Sequence, residues 1–181
     1  MAILQQLQDM LDAHDVPYQV LTHQRVYSAQ KTAACQHIPG KHMAKVVMVK
    51  HDDRSVMTVL PASHRVNFSQ LQAQLGGQVR LEGEQEFRLL FPYCETGAEP
   101  PFGNLFGLEV WVDRTLTEDE EIVFNAGTHC QAVRMRYADF AWLVQPQVAV
   151  FAQPTSASIK SSSNDRDPSE KSRQGGRYAH H

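Results

Sequence analysis

The segment 44-AKVVMVKHDDRSVMTVL-60 contains the strongest structural signal in the chain. Residues 44–50 form an apolar run rich in valine, with the length and composition of a buried β-strand. Residues 55–60 form a second run of the same kind. The four polar residues between them, 51–54, are typical of a turn. The sequence therefore predicts a β-hairpin at this position.

Outside this hairpin, helical and strand patterns interleave along the chain. Apolar residues at helical spacing, and the N-cap residues Ser28 and Asn67, predict helices at residues 3–14, 29–37, 68–75, 84–90 and 139–144. Short strands are predicted at residues 18–21, 79–81, 105–112, 122–124 and 131–135. No regular βαβ repeat is present, so the predicted fold is a single α+β domain with a mixed, mostly antiparallel β-sheet flanked by helices.

Length and composition favour one globular domain and argue against a membrane-spanning or secreted protein. A chain of 181 residues with 42% hydrophobic residues is long enough for one domain with its own core. A formal net charge of -3 provides no overall positive field that would hold nucleic acid non-specifically. No apolar run approaches the roughly 20 residues that span a bilayer, and the N-terminus lacks the features of a signal peptide. We therefore expect a cytoplasmic protein that does not bind membranes.

The predicted domain covers residues 1–151. Residues 152–181 are rich in Ser, Gly, Pro and charge, so they are predicted to be a disordered low-complexity tail. This tail has five basic and three acidic side chains. Two interpretations of the tail are open: weak contact with RNA, or a solvated terminus.

The sequence contains none of the common catalytic motifs, such as a Walker loop, a nucleophile elbow or a His-Glu-x-x-His pair. Three widely spaced cysteines argue against both a disulfide framework and a zinc site, and no metal or cofactor is expected. Cys94 lies in the irregular stretch 91–104 and is a candidate nucleophile, with an incidental buried thiol as the alternative.

Three features are unusual in combination. Lys45 is a cation in an apolar strand, so it either extends to the surface or faces a cleft where an anion neutralises it. The loop 97-GAEPPFG-103 combines glycines, which permit close approach of a ligand, with prolines, which stiffen the backbone. The segment 124-FNAGTH-129 is a strand that enters a glycine turn. For both loops, a turn with no function is the alternative.

In this order, these residues resemble the YbaK/prolyl-tRNA-synthetase-associated domain, a family of aminoacyl-tRNA editing deacylases. The resemblance covers roughly residues 1–145. The matching positions are His23, 26-VYSAQ-30, Ala33, Ala34, 44-AKVV-47, 59-VLPA-62, Gly97, 101-PFG-103, Val112, Asp113, Leu116, 124-FNAG-127, Asp139 and Phe140. Glu99 and Pro100 depart from the smaller or hydroxylic residues that relatives often have in this loop.

The resemblance implies a free-standing trans-editing hydrolase that cleaves the ester between a mischarged small amino acid and tRNA. Lys45 would hold the terminal nucleotide, and the backbone N–H groups of Gly97 and Ala98 would stabilise the oxyanion. A ribose hydroxyl of the substrate would replace a protein base. His129 lies close to the position of a pocket histidine in the family, with a structural histidine as the alternative.

The expected partner is the 3′ acceptor end of a mischarged aminoacyl-tRNA, with an aminoacyl-tRNA synthetase as a further partner. The resemblance also implies a pocket that admits Ala, Ser, Cys or Thr and excludes larger residues. The residues predicted to bind substrate are Lys45, Pro101, Phe102, Gly103, Asn125, Gly127 and Thr128. Two alternatives stay open: a non-catalytic adaptor that binds tRNA ends or a synthetase, and a hydrolase of another small acyl ester or thioester.

Overall fold

The computed structural model describes residues 3–155, which form five α-helices and ten β-strands. In chain order these are α1 (Gln5–Ala13), β1 (Tyr18–Thr22), α2 (Ala29–Cys35), β2 (Ala44–His51), β3 (Arg54–Pro61), β4 (His64–Val66), α3 (Phe68–Leu75), β5 (Val79–Leu81), α4 (Glu84–Phe87), β6 (Glu109–Asp113), β7 (Glu121–Asn125), β8 (Gln131–Arg136), α5 (Tyr137–Val144), β9 (Gln147–Ala149) and β10 (Ala152–Pro154). Short 3-10 helices occur at Arg88–Leu90, Gly103–Phe106 and Arg114–Glu118.

The predicted hairpin is confirmed, and it forms the middle of a five-stranded sheet with the order β5-β2-β3-β6-β9. Strands β2 and β3 pair antiparallel, with Lys45 opposite Leu60. Strand β5 pairs antiparallel with β2, whereas β6 and β9 are added in parallel beyond β3. Together with the helices, this mixed sheet confirms the predicted α+β class.

A second sheet lies against the start of β2. It contains three antiparallel strands in the order β1-β8-β7. A bridge between Met43 and Val123 connects the two sheets, and the backbone N–H of Val123 donates to the carbonyl of His42 at 3.0 Å. As a result, the first residues of β2 lie beside the last residues of β7.

The core is built from the inward faces of both sheets and of the helices. Leu7 and Leu11 of α1 are fully buried, as the helical spacing of their apolar residues predicted. Phe102 packs against Phe124 and Phe140, with ring centroids 5.5 and 5.4 Å apart. Three aromatic side chains from separate parts of the chain therefore meet in one cluster, which fixes the 97–103 loop to the domain.

Capping signals predicted the starts of α2 and α3 correctly, whereas the helices predicted from residues 3 and 139 begin at Gln5 and Tyr137. The Ser28 hydroxyl accepts a hydrogen bond from the N–H of Lys31, and the Asn67 side chain accepts one from the N–H of Gln70. The strand predicted at residues 105–112 was placed too early. Its first residues belong to the 3-10 helix Gly103–Phe106, so β6 begins only at Glu109.

The domain does not close with the helix predicted at residues 139–144. Strand β9 follows α5 and joins the main sheet, and β10 pairs antiparallel with β4. Strand β10 occupies residues 152–154, which the sequence assigned to the tail. Its ladder with β4 extends the folded part past the predicted boundary at residue 151. The rest of the predicted tail, 156–181, lies outside the described residues.

Within residues 3–155, no helix is long and apolar enough to cross a membrane.

Asp113 connects β6 to the last strands, and its removal should destabilise the fold. Its buried carboxylate accepts hydrogen bonds from the N–H and hydroxyl of Thr115 and from the N–H groups of Phe151 and Ala152. Because Asp113→Ala leaves these donors unpaired, we expect a loss of about 3 kcal/mol in the free energy of unfolding, measured in urea. The exposed Asp53→Asn is the control and should change it by less than about 0.5 kcal/mol. An equal effect of the two substitutions would contradict this role.

Candidate functional site

Lys45 is a partly buried cation that has no partner in the described part of the chain. It is the second residue of β2, between Ala44 and Val46. Within residues 3–155, its ammonium makes no hydrogen bond and no ion pair. Burial therefore lowers the pKa of Lys45 below its ordinary value of 10.5. Of the two possibilities that the sequence left open, the structure places Lys45 in a cleft.

The cleft is a cavity of about 120 Å³ formed by four separate segments. Its walls combine two charged side chains, one amide and several small apolar groups. The lining residues are Ala29, Ala44, Lys45, Val46, Gly97, Glu99 and Asn125. Three predicted site residues therefore meet here, namely Lys45, Gly97 and Asn125. The junction of the two sheets accounts for this, since it brings the start of β2 next to the end of β7.

Glu99 was noted in the sequence only as a departure from the family pattern, and the structure makes it a wall of the cavity. It is only 7% exposed, and both of its carboxylate oxygens lie 3.0 Å from the backbone nitrogen of Gly97. Burial raises the pKa of Glu99 above the ordinary value of 4.5. A Glu within an otherwise small and apolar loop is the sequence signal that could have indicated this role.

The predicted oxyanion donors are both occupied in this conformation. The N–H of Gly97 donates to the Glu99 carboxylate, and the N–H of Ala98 donates to the carbonyl of Glu95 at 2.9 Å. Ala98 is fully buried and forms part of a turn, so the assignment of its N–H as an oxyanion donor needs correction. The N–H of Gly97 becomes available only when the Glu99 carboxylate moves away from it.

Asn125 brings an amide to the cavity from the last position of β7. Its carbonyl oxygen lies 3.4 Å from the hydroxyl of Thr32, which donates to it. The same hydroxyl lies 3.2 Å from the carbonyl of Ser28, so its one proton is shared between the two oxygens. Among the described residues, no acceptor pairs with the Asn125 side-chain nitrogen, so this nitrogen can donate to a ligand.

His129 supports the loop and does not line the cavity. Its Nε2 donates to the carbonyl of Thr96 at 3.0 Å, and its backbone N–H donates to the Glu95 carboxylate at 2.6 Å. The ring also contacts Tyr27, with a centroid distance of 4.9 Å. The sequence left two roles open for His129, and these contacts favour a positioning role for the 95–97 segment over a catalytic one.

The predicted pocket residues Pro101, Phe102 and Gly103 are buried in the domain and do not line this cavity. Phe102 belongs to the aromatic cluster of the core. A Cβ atom on Gly103 would lie 2.5 Å from a methyl group of Val110, so packing explains this glycine. The assignment of these three residues to the pocket wall therefore needs correction. The walls are the smaller groups of Ala29, Ala44 and Val46, and only the tertiary structure shows that Ala29 lines the same cavity as Lys45.

Gly127 and Thr128 line a different depression. This groove of about 340 Å³ also involves the first residues of the described chain and Tyr93. Gly127 adopts a φ of 99°, and its N–H donates to the carbonyl of Ala98 at 2.8 Å. Gly127 therefore fixes the loop, and the structure does not place either residue in the Lys45 cavity.

Cys94 does not have the properties of a nucleophile. Burial raises the pKa of its thiol to about 12, so the reactive thiolate is scarce near neutral pH. We expect iodoacetamide to alkylate the exposed Cys35 at least about tenfold faster than Cys94 at pH 7.5, followed by peptide mass spectrometry. Labelling of Cys94 at the rate of Cys35 would restore it as a candidate.

The cavity thus combines a lysine, a carboxylate and an amide with the glycine loop. A family model described as the aminoacyl-tRNA editing domain matches residues 23–143, and the chain belongs to this family. The resemblance inferred from the sequence motifs is thereby confirmed.

Individual relatives agree with this assignment. The chain is 28% identical over 153 residues to the multifunctional Ser/Thr-tRNA deacylase ProXp-y of Escherichia coli strain K12, a match that covers 81% of this chain and 91% of the relative. The relative from Escherichia coli O157:H7 matches equally. Two solved structures have the same fold. One belongs to a hypothetical protein, with a TM-score of 0.75, 18% identity and coverage of 82% of this chain and 99% of that one. The other is described as a candidate trans-editing enzyme for prolyl tRNA synthetase, with a TM-score of 0.71, 19% identity and coverage of 82% and 96%.

The unpaired Lys45 should reduce the stability of the fold. Its lowered pKa means that folding disfavours the charged ammonium, so this penalty is present at neutral pH and disappears as the pH rises towards 10.5. We expect Lys45→Met to increase the free energy of unfolding by about 1 kcal/mol at pH 7, with a smaller gain at higher pH.

Lys50→Met is the matched control on the same strand. The Lys50 ammonium lies 3.4 Å from the carboxylate of the buried Glu82, so its removal should lower the stability. Urea unfolding at several pH values measures both changes. A stability loss in Lys45→Met that matches the loss in Lys50→Met would show that Lys45 has a partner after all.

Proposed function

We propose that this chain hydrolyses the ester bond between a small amino acid and the 3′-terminal ribose of a mischarged tRNA, acting in trans on tRNA that has left its synthetase. Membership of the editing family supports the reaction class. The observation that carries the proposal is the cavity of about 120 Å³ in which the unpaired ammonium of Lys45 is surrounded by small side chains. Action in trans is supported by the solved structure of the same fold that is described as a candidate trans-editing enzyme.

Lys45 supplies the positive charge for the tRNA end in this proposal. A phosphate of the terminal nucleotide would provide the anion that Lys45 lacks among the described residues. A charge-assisted hydrogen bond of this kind is stronger in a partly dehydrated site than in bulk water. Binding beyond this contact should be weak and sensitive to salt, because the chain has a net charge of -3. Lys41 and Arg65 are exposed cations that would add weak contacts to the tRNA end.

The size of the cavity determines the proposed substrate range. A synthetase rejects a competing amino acid that lacks one methylene by only about 1–3 kcal/mol, so errors must be removed at a second site of restricted size. Walls made of Ala29, Ala44, Val46 and Gly97 leave space for a side chain of few atoms. Ala, Ser, Cys and Thr are the candidates. The Ser/Thr-tRNA deacylase among the relatives makes Ser and Thr the first to test.

The proposed chemistry uses donors from the protein and a hydroxyl from the substrate. Water attacks the acyl carbon and gives up one proton, the bond from that carbon to the ribose oxygen breaks, and the leaving ribose oxygen takes up the proton. The neighbouring ribose hydroxyl orients the water. The side-chain nitrogen of Asn125 donates to the developing oxyanion, a contribution of about 3–4 kcal/mol for a well-placed donor. This donor takes the place of the N–H of Ala98, which the turn occupies.

A second candidate function is a non-catalytic adaptor that binds tRNA ends. The hydrogen bond from the N–H of Gly97 to the Glu99 carboxylate favours this adaptor. While that N–H is occupied, it cannot stabilise the transition state of ester hydrolysis, although the site could still bind an ester. An adaptor would protect aminoacyl-tRNA stoichiometrically, whereas an enzyme turns over an excess of substrate.

Deacylation of a panel of mischarged tRNAs tests the proposed function. With Ala-, Ser-, Cys- and Thr-charged tRNA in excess, we expect multiple turnovers for at least one of these substrates and none for Leu- or Phe-charged tRNA. Lys45→Ala should lower kcat/KM by about 100-fold, which corresponds to about 2.7 kcal/mol, because the phosphate loses its cationic partner.

Lys31→Ala removes the same charge from an exposed position on α2 and should retain kcat/KM within about twofold. Circular dichroism checks that both variants are folded. An unchanged rate in Lys45→Ala would refute the assignment of Lys45, and stoichiometric protection without turnover would support the adaptor.

A further inference from the structure

Glu99 differs from the other buried carboxylates of the described chain. Glu82 is paired with Lys50 and accepts a hydrogen bond from Ser55, and Asp113 accepts four hydrogen bonds. Within residues 3–155, Glu99 has no cationic partner, and both of its oxygens share the N–H of Gly97. Burying an anion is costly, and the backbone N–H groups of Gly97 and of Glu99 itself compensate for only part of that cost.

The cavity therefore contains two opposite charges that do not pair with each other. Lys45 and Glu99 both line it, yet no ion pair joins them in the described structure. A ligand that carries one anion and one cation could pair with both side chains, its anion with Lys45 and its cation with Glu99. In the proposed substrate, the terminal phosphate is the anion, and the α-ammonium next to the ester carbonyl is the cation.

We propose that the Glu99 carboxylate binds the α-ammonium of the esterified amino acid, an inference that rests on the proposed deacylase function. The α-ammonium is attached to the carbon next to the ester carbonyl, so a contact with Glu99 places that carbonyl beside the N–H of Gly97. The two groups are already neighbours, since the Glu99 oxygens lie 3.0 Å from the Gly97 nitrogen.

This contact also gives the Gly97 N–H a role in the reaction. When the carboxylate turns to the ammonium, it releases the N–H, which then donates to the carbonyl oxygen of the same substrate. A ligand without an α-ammonium leaves the carboxylate on Gly97. Glu99 thereby makes the site selective for an unmodified amino group.

A pair of substrates of nearly equal size tests this inference. Nitrous acid converts seryl-tRNA into glyceryl-tRNA, in which a hydroxyl replaces the α-ammonium. The rate of each substrate is divided by its uncatalysed rate at the same pH, because the ammonium also activates the ester. We expect the wild-type protein to favour seryl-tRNA by at least about tenfold in kcat/KM.

Glu99→Gln keeps the shape of the side chain and removes its charge. We expect this variant to lose most of the kcat/KM for seryl-tRNA and to change the kcat/KM for glyceryl-tRNA by less than about threefold. The ratio of the two values should therefore fall towards one. Glu95→Gln is the matched control in the same loop. Glu95 holds the N–H of His129 outside the cavity, so its substitution should affect both substrates equally and leave the preference intact.

Each outcome decides between the two proposals. A wild-type protein that deacylates both substrates equally, or a preference that persists in Glu99→Gln, overturns the role of Glu99 and leaves the deacylase function in place. An absence of turnover on every aminoacyl-tRNA overturns the proposed function and this inference with it. The wild-type comparison requires no variant, so it decides the question even if Glu99→Gln fails to fold.

Discussion

Backbone hydrogen bonds between the 95–98 turn and the end of β7 hold the site in its observed form. The N–H of Glu95 donates to the carbonyl of Gly127 at 2.9 Å, and the N–H of Gly127 donates to the carbonyl of Ala98 at 2.8 Å. Gly127 can make both contacts because glycine tolerates its φ of 99°. A Cβ atom there would also lie 3.1 Å from that of Leu4. Gly97 and Asn125 therefore reach the same cavity because these two segments are joined.

The junction of the two sheets brings Lys45 to that cavity. The bridge from Met43 to Val123 sets the start of β2 beside β7, and Lys45 follows two residues later. The ammonium is then partly removed from water without an internal anion. Such an arrangement lowers stability, and the tightly packed core around Phe102 offsets it. Sites that must bind a charged ligand commonly retain uncompensated charges of this kind.

The parts of the fold that the sequence predicted correctly depend on neighbours along the chain. The β2–β3 hairpin follows from two apolar runs and a polar turn, and the helices that begin after Ser28 and Asn67 follow from capping by their side chains. The motifs around Lys45, Gly97 and Asn125 identified the family and three residues of the cavity wall. Strand β10 was missed because its ladder with β4 joins segments almost 90 residues apart.

The sequence by itself determined the α+β class and the family and singled out Lys45 as a candidate, because each is expressed in short patterns of polarity, glycine and proline. Only the tertiary structure decided which side chains of the 97–103 loop and of β7 lie in the same cavity as Lys45. Phe102 lies in the core and Glu99 lies in the cavity, although three positions separate them in one loop. The direction of a loop side chain depends on contacts with distant segments, such as the aromatic ring of Phe140 for Phe102 and the strand that ends at Asn125 for the cavity. No local pattern encodes those contacts.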